Sequence, residues 1–390
     1  METENRPTPV QTQPLETGVA PSLATQPAAE AQEVPYRGLR WVFSGNQGLR
    51  AGWSVLIFAA IFVILNIVID TALFKARLVS KEAIFAPKSA FFAEVGSFLA
   101  MLGAAAVVAL IERRRILDYN LTGPGRSRHF FFGLAAGFIA LSLLIGALAV
   151  GGWLHFGSVG LSGSAIFRYA ALWGCTFLLV GCVEEGLFRC YGLFTLARGI
   201  NFWWALGLVA AVCADLILRT SGSAAWGVYV IALLGLFPCL ALHQRAAPRS
   251  GFWQAAWVTS TFFGFLHTGN GGENWIGIFA AAFIGFVFCV SVRVSGSAWW
   301  AIGCHAGWDW AETFFYGTAD SGLTPRGHYL TSMPAGNPLW SGGTDGPEGS
   351  LLVLGVILLL LVALLVVYGR KVAAPRPPAA RHRPTGERIL

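Results

Sequence analysis

The chain is 390 residues long, 55% hydrophobic and only 12% charged, with a mean hydropathy of +0.61, whereas soluble domains carry about 25% charged residues. It holds at least five separate apolar stretches near the ~20 residues that cross a hydrocarbon core. This excludes a soluble enzyme, a disordered protein and a disulfide scaffold, and the unbroken apolar runs speak against a transmembrane β-barrel.

In chain order, residues 1–50 open with Pro, Thr, Gln, Ala and Glu and are expected to be a disordered cytoplasmic tail, with no signal peptide at the start. A polytopic membrane domain follows over 51–369. The expected fold is an all-α polytopic transmembrane helical bundle of about 8–10 spans. The candidate segments are 51–73, 89–111, 130–153, 167–196, 202–218, 224–243, 251–267, 274–292, 297–316 and 350–369. The segment 318–349, rich in Gly, Pro, Ser and Thr, reads as a loop. Residues 370–390 are a basic tail that carries most of the net charge of +7. A basic segment directly after a span is a positive-inside signature and not a nucleic-acid surface, so the bilayer is an expected partner and nucleic acid is not. Placing both termini in the cytoplasm also puts Arg113, Arg114, Arg115, Arg198, Arg245, Arg249 and Arg293 inside and the loop 318–349 outside. The short loops read as those of a bacterial inner-membrane protein. The seven cysteines lie in apolar segments without a CxxC pair, so disulfides and thiolate metal sites are not expected.

Ionisable groups inside spans are costly and usually mark function or paired structure. They are Asp70, Glu94, Glu184, Glu185, Arg189, Asp215, His267, His305, Asp309 and Glu312. Asp70, Glu94 and Asp215 stand alone, so a structural role is the simpler reading for each. Glu185 and Arg189 share a helix face at i and i+4 and can pair. Glu184 is rotated about 100° from Glu185 and can point elsewhere, which leaves one carboxylate neutralised and one free to act as a base. His267 ends the run Thr261-Phe262-Phe263-Gly264-Phe265-Leu266. His305 and Asp309 are again at i and i+4, so the acid can orient the ring.

Depth links the three. At about 1.5 Å per residue, Glu184 lies roughly 21 Å from Arg198, His267 roughly 22 Å from Phe252 and His305 roughly 18 Å from Arg293. Carboxylates and imidazoles at one depth suit a hydrolase that deprotonates water and donates to an oxyanion. Glu184, His267 and His305 are also chemically suited to hold zinc, although Glu-Glu is not the His-Glu-x-x-His motif and compels no metal.

In this order the three motifs resemble the CAAX prenyl protease type 2 / bacteriocin-processing (CPBP, or Abi) family of intramembrane proteases, which includes proteins like lysostaphin-resistance protein A. They read Glu184-Glu185-Gly186-Leu187-Phe188-Arg189, Phe263-Gly264-Phe265-Leu266-His267 and His305-Ala306-Gly307-Trp308-Asp309, inside a protease-like core of about 167–317. The resemblance implies a membrane-embedded endopeptidase, of metallo- or glutamate type, acting on a membrane protein or peptide, including lipidated CAAX-type substrates. It implies that Glu184 and His267 activate water, that His305 and Asp309 stabilise the oxyanion, and that Glu185 and Arg189 support the site. Two departures stand out. The third motif ends in Asp309 where many relatives have Asn, and an ionised acid cannot donate to an oxyanion. Glu184 and His267 are 83 residues apart, longer than the family pattern, which a two-helix insertion over 202–243 would explain. The alternatives are a non-catalytic scaffold or bacteriocin-immunity factor of the same fold, and a transporter with a polar midplane site.

Overall fold

The computed structural model describes residues 40–45, 48–80, 85–220, 225–244 and 250–369. Its helices are α1 (Ala51–Lys75), α2 (Pro87–Glu112), α3 (Arg126–Val150), α4 (Ser164–Ala197), α5 (Phe202–Arg219), α6 (Ala225–Gln244), α7 (Ser250–His267), α8 (Trp275–Ser295), α9 (Trp299–Asp309, continued by a wider π turn over Trp310–Tyr316) and α10 (Leu351–Tyr368). Every apolar segment read from the sequence is a helix, and the molecule is an all-α bundle of the polytopic membrane type. Seven of the described helices, α1 to α5 with α8 and α10, are long and apolar enough to cross a membrane, against the expected count of about 8–10. Helices α7 and α9 are diluted by the polar side chains they bring inward, among them Gln254, Thr259, Ser260, Asp309 and Glu312. The basic tail 370–390 and most of the expected N-terminal tail lie outside the described residues. At the end of that segment Arg40–Phe43 forms one helical turn, and Ser44–Gly45 pairs antiparallel with Gly48–Leu49.

The helix ends follow from local chemistry. Pro87 sits in the first turn of α2, where its missing N–H costs nothing. The Asn201, Asn274 and Ser350 side chains cap α5, α8 and α10 by accepting from Trp204, Ile276 and Leu352 amides. Helix α8 stops at Gly296, whose φ of +81° suits glycine.

Helix α9 is the buried axis of the bundle, with Trp300 to Cys304 and Ala306 to Asp309 all buried. Its Gly303 and Gly307 rest on the Phe130 and Leu134 carbonyls of α3, and Gly133 and Gly137 of α3 rest on the Trp300 and Cys304 carbonyls of α9. A Cβ at any of the four would lie well inside van der Waals contact. This is a reciprocal small-xxx-small crossing that lets two backbones touch. It fixes the rotation of α9 and hence the direction of His305, which lies between Gly303 and Gly307. On the other flank Gly181 of α4 meets the Ile302 carbonyl.

Helices α5 and α6, the segment expected as an insertion, pack on α7 through a separate cluster of Phe202, Ala205, Val209, Ala232 and Val258. The loop regions hold structure that the sequence reading lacked. Strand β1 (Leu154–Val159) pairs antiparallel with β2 (Leu330–Pro334), with Leu154 opposite Pro334 and His155 opposite Met333. Trp153 stacks on Trp340 beside it, with ring centroids 5.2 Å apart. At the far end of α2, Glu112 gathers Arg198 at 3.0 Å, Arg114 at 3.4 Å and the Ser54 hydroxyl at 2.5 Å, tying α1, α2 and α4 together.

Candidate active site

Helix α4 is not uniform. It is α-helical to Glu185, passes through a π segment over Gly186–Gly192, and resumes at Leu193. An extra residue in a turn re-aims the side chains around it, and such bulges occur frequently at functional sites. Glu184, Glu185 and Arg189 straddle this junction.

Glu185 and Arg189 are both fully buried and pair at 3.3 Å. The Arg189 Nε donates to the Gly285 carbonyl at 3.3 Å, and the guanidinium lies 4.2 Å from the centre of the Phe263 ring. A Cβ at position 285 would collide with the Arg189 Nη2, so glycine on α8 makes room for the cation. The same carboxyl oxygen that meets Arg189, Glu185 Oε1, also lies 2.9 Å from His305 Nδ1. A carboxylate that pairs with a guanidinium is an acceptor, so His305 Nδ1–H donates to it. This fixes the ring and leaves Nε2 facing the cavity. Glu184 Oε2 is 3.7 Å from that Nε2, and Asp309 Oδ2 is 3.4 Å from it. Phe288 stacks on the imidazole, with centroids 5.9 Å apart. His305 is thus surrounded by Glu184, Glu185 and Asp309, drawn from two helices.

His267 is the last residue of α7. Its Nδ1–H donates to the Phe263 carbonyl at 2.8 Å, one turn back along the same helix. Here too Nε2 is the nitrogen left available. Glu184, His267, His305 and Asp309 all line one cavity of about 320 Å³, walled by Phe177, Phe263, Phe288 and Trp308. That is the lower end of the size of small-ligand sites. Glu184 is the most open of the carboxylates, with its side chain 36% exposed. The structure therefore brings all three motifs together, as the depth comparison requires. Phe252 and Arg293, two of the residues used to set that depth, also meet, the guanidinium 5.7 Å from the ring.

Other members of the cavity were not read as site residues. Glu94 of α2 forms part of the wall, as do Asp320, Ser321 and Glu348 from the chain between α9 and α10. An acid seven residues into a span was a signal for Glu94; the loop acids carried none. Asp215 instead pairs with Arg219 at 2.8 Å on an exposed face, a structural role. Burial lifts the Asp320 carboxyl to about 7, with the neighbouring Glu348 charge adding to the shift. The donor types at Glu184, His267 and His305 suit zinc. Among the described residues, however, they do not bring three ligand atoms within 4.8 Å of one another, so the arrangement does not close on one ion.

Residues 240–311 match the family model described as Rce1-like, type II CAAX prenyl endopeptidase. The matched stretch contains the second and third motifs and stops short of Glu184, Glu185 and Arg189 in the chain. The match covers 72 of 390 residues and makes that stretch similar to the CAAX-protease family. Comparison with curated proteins and with solved structures gives no match.

Proposed function

We propose that the chain is a membrane-embedded endopeptidase that hydrolyses a peptide bond of a membrane-associated or lipidated, CAAX-type substrate. The observation that carries this reading is the single cavity in which His305 is anchored by Glu185 while its Nε2 faces Glu184 and Asp309, with His267 on the same wall.

The roles follow from which atoms are already engaged. Glu184 is the most open of the motif carboxylates, its one ion pair among the described residues being with His305 at 3.7 Å, and acts as the general base on water. His267 has committed its Nδ1–H to Phe263, so its Nε2 accepts a hydrogen bond from the same water and orients it. Attack forms the bond between the water oxygen and the substrate carbonyl carbon. His305 acts as the imidazolium, with Nδ1–H held by Glu185, and its Nε2–H donates a hydrogen bond to the developing oxyanion, with Asp309 accepting from the same Nε2–H. This resolves the departure at Asp309: an acid there serves the donor and need not donate itself. Glu184 then passes the water-derived proton to the departing amine as the C–N bond breaks. Glu185 and Arg189 touch no reacting atom. They hold the His305 ring, and so are positioning residues. No step is routed through a metal, because the donors as placed do not close on one.

The test is cleavage of a panel of prenylated CAAX peptides by the purified protein, with Glu184→Gln as the control. Cleavage by the wild type and a loss of about 10²-fold or more in the variant support the reading. Wild-type inactivity across the panel, with a folded protein, contradicts the substrate class.

A further inference from the structure

A second constellation of carboxylates lies beside the catalytic groups and takes no part in the reaction proposed above. Glu312, in the π turn that continues α9, Asp320 just after it, and Glu348 just before α10 each offer one oxygen, and these oxygens lie within 4.8 Å of one another. Glu312 is fully buried. Its Oε2 accepts from the Trp308 indole at 2.9 Å, while its Oε1 has no hydrogen-bond partner. The same indole donates to Glu348 Oε1 at 2.8 Å, so one N–H serves two acids. Ser321 donates to Glu348 and Thr313 to Asp320. Nearby Asp345 is also fully buried, and its Oδ1 is likewise without a partner.

Among the described residues, no ion pair within 4.0 Å reaches Glu312, Asp320 or Glu348. The ion pairs of the described residues are made by Glu112, Asp118, Glu185, Asp215 and the carboxylates around His305. Buried charge is normally paired or coordinates a metal, and a buried carboxylate oxygen with no donor is an open coordination position. The donors are all oxygen, with no imidazole or thiolate. That set selects hard cations and disfavours zinc or copper. All three oxygens lie within 4.8 Å of one another, close enough for one hard cation with oxygen ligands at about 2.0–2.6 Å.

We propose that Glu312, Asp320 and Glu348 bind one hard divalent cation, calcium or magnesium. The ion ties the segment after α9 and the turn before α10 to the end of α9. Asp320, Ser321 and Glu348 are also part of the cavity wall, so the ion sets the shape of the substrate pocket without touching the reacting atoms.

The experiment uses the full chain in detergent or lipid nanodiscs, stripped with a chelator and then given CaCl₂, MgCl₂ or ZnCl₂ alone. The readouts are thermal unfolding and ⁴⁵Ca²⁺ bound per chain. At calcium about 100-fold above Kd the folded state gains about 100-fold, a rise in Tm of about 3 °C for a chain of this length. The expected result is that rise with calcium or magnesium and not with zinc, and about one calcium retained per chain. Asp320→Asn and Glu348→Gln should each lose the rise, and Glu184→Gln should keep it. If a variant fails to fold, the calcium count on wild-type protein decides. The proposal is overturned if no cation raises Tm and no calcium is retained, if only zinc acts, if both acid variants keep the full response, or if Glu184→Gln abolishes it. None of these outcomes depends on peptide cleavage, so the site can fail while the protease reading stands, and the reverse.

Discussion

Replacing Arg189 with alanine tests how the site is held. Arg189 and Glu185 are both 0% exposed and sit 3.3 Å apart, so the truncation strands a carboxylate in an interior with no water to solvate it. Breaking a buried pair from one side costs about 3–5 kcal/mol. The guanidinium also lies 4.2 Å from the Phe263 ring, a contact worth about 2 kcal/mol when desolvated. The two losses share one side chain and do not simply add, so the expected destabilisation is about 4–5 kcal/mol, or a fall in Tm of about 5 °C for a chain of this length. The double variant Glu185→Leu/Arg189→Leu removes both charges and keeps the volume filled. It should recover most of the stability, because an apolar replacement of a buried pair is often neutral or better. It should not recover activity, since His305 Nδ1 then loses the Glu185 acceptor at 2.9 Å that holds its ring. Thermal unfolding of the purified proteins, with peptide cleavage at a temperature where all are folded, separates the two effects. Equal instability of the single and double variants would refute the pairing, and an active double variant would refute the positioning role.

His267→Ala and His305→Ala should each lower turnover by about 10²–10⁴-fold while leaving Tm within a few degrees, checked by kinetics beside a melting curve. Gly307→Val should drive a side chain into the Leu134 carbonyl and cost about 3 kcal/mol, the upper end for overpacking, read as a lower Tm and lost membrane yield; wild-type behaviour would show that α3 and α9 do not touch there. Burial and the Asp345 and Glu348 charges lift Glu273, between α7 and α8, from 4.5 to about 9, and burial with the Glu348 and Asp320 charges lifts Asp345, before α10, from 3.8 to about 7. An acid whose folded pKa is raised binds its proton more tightly when folded, so in metal-free buffer stability should fall as pH rises from about 4 to about 9, and Glu273→Gln should flatten the upper part of that curve. Single cysteine probes at Arg115 and Thr344 should label from opposite faces of the membrane with an impermeant reagent, Arg115 only after permeabilisation; labelling of both from one face would refute the topology.

The helices were legible because hydropathy and length alone mark them, down to α6 and α7 at the margins. The convergence of the three motifs on one cavity was legible because i,i+4 spacing and a common depth are one-dimensional quantities. Neither reading could say which of two adjacent acids reaches across to α9. The π segment after Glu185 sets that rotation, and the apolar pattern does not encode it, so Glu185 rather than Asp309 turned out to anchor His305 Nδ1. The pairing of β1 with β2 joins segments about 170 residues apart, a contact no local window contains. Asp320 and Glu348 were hidden for the same reason: each is an ordinary loop acid until the fold sets it beside Glu312. The Gly133/Gly137 and Gly303/Gly307 spacings were visible as small-xxx-small pairs, but nothing in the sequence pairs them with each other.

The central claim is that Glu184 activates water for peptide-bond cleavage in the cavity it shares with His267 and His305. The most direct measurement is single-turnover cleavage of a prenylated CAAX peptide in H₂¹⁸O by wild type and Glu184→Gln reconstituted in liposomes, with products read by mass spectrometry. The account predicts one ¹⁸O in the new C-terminal carboxylate with the wild type and a rate at least about 10²-fold lower with the variant, at matched Tm. A folded Glu184→Gln protein that cleaves at the wild-type rate would contradict it.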